Sequence, residues 1–261
     1  ELSHVGLAYS NMDEKERAVS YYQQALTLRR QVRDRLGELV TLQQLGGVYT
    51  NIGEYAKALD TFRQANEVNA GLKNKRWEAA VAMMTGVTYE RLDDYQNALG
   101  FFEKALAANR GLGLPRDEAM LLGSIGTVYH RMGDEVRSLD FYQQALARFR
   151  QVGDKREEGR SLGSVGMAQF FLGQTAQALE TVTQALTLQR TLNDRSGQAV
   201  SLANLARIAE RQGGHAQALD NCRQSLAIDR VLGNRRAEHQ SLRCVGRNQE
   251  ALGDRASAAD T

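Results

Sequence analysis

The residues with most to offer chemically are four histidines, two cysteines and two glycine-serine runs. Gly163-Ser164-Val165-Gly166 and Gly123-Ser124-Ile125-Gly126 have the small residues a phosphate loop requires, because backbone N–H groups must approach the anion closely. Neither continues into Gly-Lys-Ser/Thr, and both lie within helical periodicity with no strand before them, so they read as packing glycines. His215 and Cys222 lie a loop and two helical turns apart, and His239 and Cys244 are five apart. Zinc sites gather three or four such ligands, and neither pair has that company in sequence. No Ser/His/Asp or Cys/His grouping offers an activated nucleophile. The carboxylates fall at helix caps and on solvated faces. No catalytic residue, cofactor or metal ligand is therefore expected, and the chain reads as a protein that is not an enzyme.

The elements that carry these residues are helices. A single proline in 261 residues, with abundant Ala, Leu, Gln, Glu and Arg, points to an all-α chain. Hydrophobic content of 42% and charged content of 25% are those of a folded, water-soluble protein. A formal net charge of +2 gives no reason to expect nucleic acid or an anionic membrane. No apolar run approaches the roughly 20 residues of a membrane helix, and Glu1-Leu2-Ser3-His4 does not open a signal peptide. Two cysteines, Cys222 and Cys244, are too few and too unpatterned for a disulfide framework. A reducing, cytoplasmic setting fits best.

An internal repeat organises the chain. Gly6, Gly46, Gly86, Gly126, Gly166 and Gly246 are spaced by 40 residues or a multiple of it, with Ala206 in the missing place. Tyr9, Tyr49, Tyr89 and Tyr129 follow three residues later. Further columns hold Gly53, Gly133, Gly173, Gly213 and Gly253, with Asp13 and Asp93 in place of glycine. Then come Ala18, Ala58, Ala98, Ser138, Ala178, Ala218 and Ala258, and last Ala25, Ala65, Ala105, Ala145, Ala185 and Ser225. Each unit reads as two helices with apolar residues at three- and four-residue steps, for example about 75–92 and 95–112. The small columns predict a close crossing within each hairpin, with Phe62, Phe102 and Tyr142 filling the space around it; Cys222 shares their column and reads as a small core residue. Asp34, Asn74, Asp154, Asp194 and Asn234 stand where N-caps belong, and Leu114-Pro115 replaces one such step. Glu38, Glu78, Glu118, Glu158 and Glu238 fall in the following first turn, where the helix dipole favours them.

Leu45-Gly46, Tyr49, Ala58, Phe62 and Ala65 together resemble the signature of the tetratricopeptide repeat family. The unit here is longer than the family's usual one of about 34 residues, and the proline near its end is missing. The longer variety is similar to arrays in Pins-type adaptors and in large bacterial signalling proteins. The resemblance implies a right-handed superhelical solenoid of stacked helical hairpins, six full repeats and a partial seventh, with residues 1–261 as one domain. The chain stops inside the seventh unit at Ala258-Ala259-Asp260-Thr261 without a polar capping helix, so it reads as a segment of a longer protein.

The family lines its concave groove with the first helix of each repeat. Carried onto this sequence, that rule turns four columns inward, including Thr50, Glu90, His130, Phe170, Glu210 and Glu250 in one of them. The partner-binding set is Met83, Arg91, His130, Arg131, Met167, Phe170, Phe171, Arg207, Arg211 and Arg243. Phe170 and Phe171 are about 100° apart on a helix, so both can hardly be buried deeply. Two readings stay open: an apolar pocket between arginines, or one Phe in the core with the arginines solvated or paired with Glu90 and Glu210. The expected function is a scaffold for a peptide or extended protein segment with acidic and hydrophobic residues. The alternative is a domain that senses a ligand or signal peptide and controls an effector elsewhere.

Overall fold

The structure, a computed structural model, describes residues 2–12 and 14–253, and every regular element among them is an α-helix. Asp13 and the 254–261 end, with Ala258, lie outside the described residues. The helices are α1 (Leu2–Asn11), α2 (Lys15–Gln31), α3 (Arg35–Ile52), α4 (Tyr55–Leu72), α5 (Lys75–Arg91) and α6 (Tyr95–Leu112). After them come α7 (Pro115–Arg131), α8 (Glu135–Val152), α9 (Lys155–Phe171), α10 (Thr175–Thr191), α11 (Arg195–Arg211), α12 (His215–Leu232) and α13 (Arg235–Ala251). They form two compact units, Glu1–Val128 and Tyr129–Thr261.

Local sequence sets the helix ends. The Asp34, Asn74, Asp154, Asp194 and Asn234 side chains each accept a backbone N–H from the first turn of the next helix. Such a cap satisfies a donor that the helix itself leaves orphaned, and is worth about 1 kcal/mol. Pro115 opens α7, where its missing N–H costs nothing. Gly53, Gly133, Gly173 and Gly213 turn first helix into second at φ between 76° and 83°, and Asp93 adopts φ 59° in the same column. The second helices end in another left-handed column, where glycine alternates with Arg33, Lys73 and Asn193.

In the first unit α1–α2, α3–α4 and α5–α6 pair as hairpins, α2 packs on α3, and α4 packs on α5. In the second unit α9–α10 and α11–α12 repeat the arrangement, α8 packs on α9, and α12 packs on α13. First helices also touch one another, α3 with α5 in the first unit and α9 with α11 and α11 with α13 in the second. The glycine column serves the aromatic column more than the alanine column. A Cβ at Gly46 would fall 2.5 Å from the Phe62 ring, and one at Gly86 2.7 Å from the Phe102 ring. Gly166 meets Val182 in the same way, with the Ala178 carbonyl 3.4 Å away. Phe62 and Phe102 are fully buried, and each such side chain contributes about 1.5–3 kcal/mol.

The glutamates that recur in the repeat frame do more than complement a helix dipole. Arg30–Glu38, Arg110–Glu118, Arg150–Glu158 and Arg230–Glu238 form Nε–Oε1 ion pairs of 2.8, 3.0, 2.9 and 2.9 Å. Each ties the second helix of one hairpin to the first helix of the next. Burial pushes the Glu38 and Glu158 carboxyls up, but donors from Arg30 and Arg35, and from Lys155 and Arg150, outweigh it. Both carboxyls end below the ordinary glutamate range.

Candidate functional site

In the second unit the first helices α9, α11 and α13 lie side by side and leave two adjoining hollows. One, of about 360 Å³, runs from His130 and Tyr142 past Arg160 and Met167 to Val200 and Asn204. The other, of about 420 Å³, runs from Val200 and Asn204 past Arg207 to Gln240, Arg243 and Arg247. Ser196, Val200 and Asn204 line both, so the two hollows read as one trough. Val200 is 58% exposed, a large apolar group with no cover, and Met167 is half-buried beside it. Burying such surface against a partner releases ordered water, while the arginines supply planar donors for carboxylates. The floor of the second hollow is polar and buried. The Asp229 carboxylate accepts from Ser241 Oγ at 2.9 Å and Ser225 Oγ at 3.4 Å.

The partner-binding residues expected from sequence divide into three groups. Met167 and His130 line the first hollow, and Arg207 and Arg243 the second. His130, Phe171, Phe170 and Arg211 form a patch of their own. His130 and Phe171 rings lie 5.1 Å apart, and Phe171 meets the edge of Phe170 at 5.5 Å. His130 Nδ1 is 2.6 Å from Glu135 Oε1. Arg211 donates to the Phe170 carbonyl at 2.9 Å and its guanidinium sits 4.7 Å over the Phe170 ring. Arg131 is exposed at the end of α7, while Met83, half-buried, and Arg91, exposed, belong to α5 of the first unit.

Two expectations of an inward, accessible column need correction. Phe170 is 5% exposed and packs in a core cluster with Leu205 and Ile208, so Phe171, 41% exposed, is the ring that faces outward. The 100° step between neighbours on a helix allows only one of them the core. Thr50, from the same column as Phe170, is buried and shares a 2.8 Å hydrogen bond with Thr88.

Val200, Asn204 and Gln240 are trough residues that the sequence reading passed over. Val200 and Asn204 share a face of α11 with Ala203 and Arg207, and Gln240 shares one of α13 with Arg243, by i, i+3 and i, i+4 steps, so continuing each stripe one turn toward the helix N-terminus would have found them. The cysteines are a correction too. Cys222 is buried as expected, but it is joined to Cys244 of α13 in a disulfide with Cα atoms 5.8 Å apart. In the first unit Met84, which holds the position of Cys244, packs against the cluster containing Phe62, which holds that of Cys222. The repeat frame thus brings these two columns together, and 22 residues of intervening chain conceal it.

None of the described helices is long and apolar enough to cross a membrane. A tetratricopeptide repeat model matches residues 2–69 and 117–191, and a second model of that repeat matches residues 83–116. No curated protein matches the chain by sequence. Among solved structures, the chain is similar to the STAND protein with a tetratricopeptide repeat sensor, PH0952, from Pyrococcus horikoshii. That match has a TM-score of 0.78 at 15% identity over 98% of this chain, and it spans only 39% of the STAND protein. BtubC (BKLC) from P. vanneervenii gives a TM-score of 0.73 at 16% identity, covering 84% of this chain and 92% of that one. A Rap protein complexed with Competence and Sporulation Factor gives 0.67 at 15% identity, covering 97% and 75%. Identities this low speak to the fold alone. The 40-residue register, the stacked helical hairpins and a family match over more than half of the sequence agree: this chain belongs to the tetratricopeptide repeat family.

Proposed function

We propose that this chain is a protein-interaction module that holds an extended segment of a partner in the trough of its second unit. The tetratricopeptide repeat fold suggests a protein-interaction scaffold. The observation that carries the reading is the trough itself: two adjoining hollows with Met167 in the first, Val200 at their junction, and Arg207, Arg243 and Arg247 in the second. Apolar anchors supply most binding energy at such surfaces, and flanking guanidiniums steer and orient an acidic partner. The partner segment would therefore join hydrophobic and acidic residues, with Phe171 and His130 extending the apolar end.

The test is selection from a displayed library of random peptides, followed by affinity measurements on the enriched sequences. Enrichment of segments that combine hydrophobic and acidic residues is expected. Met167→Ala with Val200→Ala should weaken their binding by about 2 kcal/mol. Arg207→Glu with Arg243→Glu should slow association and flatten its salt dependence. Selected peptides that bind both double variants like the parent would overturn the reading.

A second reading, a sensor that controls an effector domain, draws on the similarity to the sensor-bearing STAND protein and to the Rap protein bound to a signalling factor. A small ligand that raises the thermal midpoint by mass action, with no peptide selected, would favour it.

A further inference from the structure

Three helices of the second unit bring metal-ligating groups to one point. Glu210 of α11, Cys222 of α12 and Cys244 of α13 place one carboxylate oxygen and two sulfurs within 4.8 Å of one another. A tetrahedral zinc ion with Zn–S of about 2.3 Å and Zn–O of about 2.0–2.2 Å sets its ligand atoms roughly 3.5–3.8 Å apart, a separation the two sulfurs can take only when no S–S bond joins them. We propose that, once the disulfide is reduced, Cys222, Cys244 and Glu210 bind a thiophilic divalent cation such as Zn²⁺.

Three further observations support a built site rather than a chance meeting. The first is orientation of the ligands by the side chains around them. Asn248 is buried, and its amide donates to Glu210 Oε1 at 2.6 Å and to the Cys244 carbonyl at 2.8 Å. The same amide lies 3.9 Å from Cys222 Sγ and 3.8 Å from Cys244 Sγ, where N–H donors stabilise thiolate charge. His215 Nδ1 in turn donates to Asn248 Oδ1 at 3.0 Å and holds the amide in that orientation. Outer partners of this kind fix ligand geometry and tune affinity.

The second observation is access. All three ligand residues line the 420 Å³ hollow, so a cation can enter, and a fourth coordination position can be taken by water or by a ligand from the trough. The third is charge. Arg247 pairs with Glu210 at 3.2 Å and is 61% exposed, so it can swing into solvent when a cation takes its place.

The chemistry is exclusive. A small dithiol, itself becoming a disulfide, or a phosphine, becoming a phosphine oxide with oxygen and two hydrogens supplied by water, gives two electrons and converts the disulfide into two thiols. Binding of the cation then releases the thiol protons, since thiolates are the ligands. A disulfide oxidant takes the two electrons back, becoming a dithiol as the S–S bond re-forms and the ion is expelled, so cation and disulfide report opposite redox states of one site.

This inference stands apart from the partner reading, and its test uses no partner. The full chain, reduced with a phosphine and freed of it under anaerobic conditions, is titrated with Co²⁺. A thiolate-to-metal charge-transfer band saturating at one equivalent is expected, and Zn²⁺ should displace it. The disulfide form of the same chain should give no band. Asn248→Ala should weaken affinity by about 10–100-fold while the band keeps its character, the effect typical of a residue outside the first coordination shell. Glu210→Gln should weaken affinity and shift the band. Absence of a band in the reduced chain overturns the proposal, as does equal binding by the disulfide form. Neither outcome depends on a variant folding.

Discussion

The hairpins α5–α6 and α11–α12 occupy the same frame, yet they fill it with different chemistry. In α5–α6, Gly86 lies under the buried Phe102 ring, and Tyr89 stacks on Phe101 at 5.5 Å. At the matching positions α11–α12 carries Ala206, Cys222, Ala209 and Asn221. The rings are gone, the added methyl of Ala206 takes up part of their space, and the crossing still buries Ala206 and Cys222 almost completely. These two hairpins thus fill the crossing in different ways: a ring over a bare backbone, or two small side chains. Where the second is used, Cys222 and the polar groups Ser225 and Asp229 line an open hollow instead of a closed aromatic core.

The comparison breaks most sharply at Gly86. Gly86→Leu forces a side chain into a ring that cannot retreat, and overpacking of this kind costs about 1–3 kcal/mol or more. Urea denaturation should show a loss at the upper end of that range, despite the gain in helix propensity. A neutral result would mean that the glycine column does not carry the rings.

A change of sign sharpens it next. Ala206→Gly alone should destabilise by about 1 kcal/mol, the helix-propensity difference. In a Cys222→Phe background, which loses the Cys222–Cys244 disulfide as well as being overpacked by about 1–3 kcal/mol, the same Ala206→Gly should stabilise, because it restores the ring-over-glycine arrangement. A coupling near zero in this double-variant cycle would show that the two hairpins differ by more than these side chains.

The Arg–Glu clamps test what the two units share. Glu38→Gln and Glu158→Gln should each cost about 1.5–3 kcal/mol, the usual loss when a hydrogen bond to a charged group is removed. Both carboxyls sit below their unfolded pKa, so their stabilisation is full above the ordinary glutamate value of about 4.3 and fades as pH falls through the lower folded value. Each variant should therefore lose less stability than the parent on acidification. A parent and variants that lose stability in parallel would remove the clamps from the account.

The smallest effect expected is a gain. Lys73 ends α4 at φ 53°, where Gly113 and Gly153 end the second helices α6 and α8. Lys73→Gly relieves the strain of a left-handed side chain and should add about 0.5–1 kcal/mol, read as a higher urea midpoint. A drop would show that Lys73 contributes a contact its backbone strain conceals.

Much of the fold was legible in the residues because its signals are local. The 40-residue columns, the Asp and Asn caps and the glycine turns each act within a few residues of their own position. Proline's near absence and the three- and four-residue apolar steps left no room for strands. The candidate site was legible only in outline. Met167, His130, Arg207 and Arg243 stand along the trough, but the α11 stripe that contains Arg207 begins earlier, at Val200 and Asn204.

The sequence by itself determined the number and ends of the helices, the hairpin pairing and the family, since a repeated local code can build only one kind of element and one way of joining it. Which side chains meet across helices was left to the tertiary structure. The choice of Phe170 rather than Phe171 for the core, the joining of Cys222 to Cys244 and the convergence of Glu210 on them each depend on the offset between neighbouring helices. That offset is set by side-chain volume at the crossings, summed over many contacts at once, and no single column of residues encodes it.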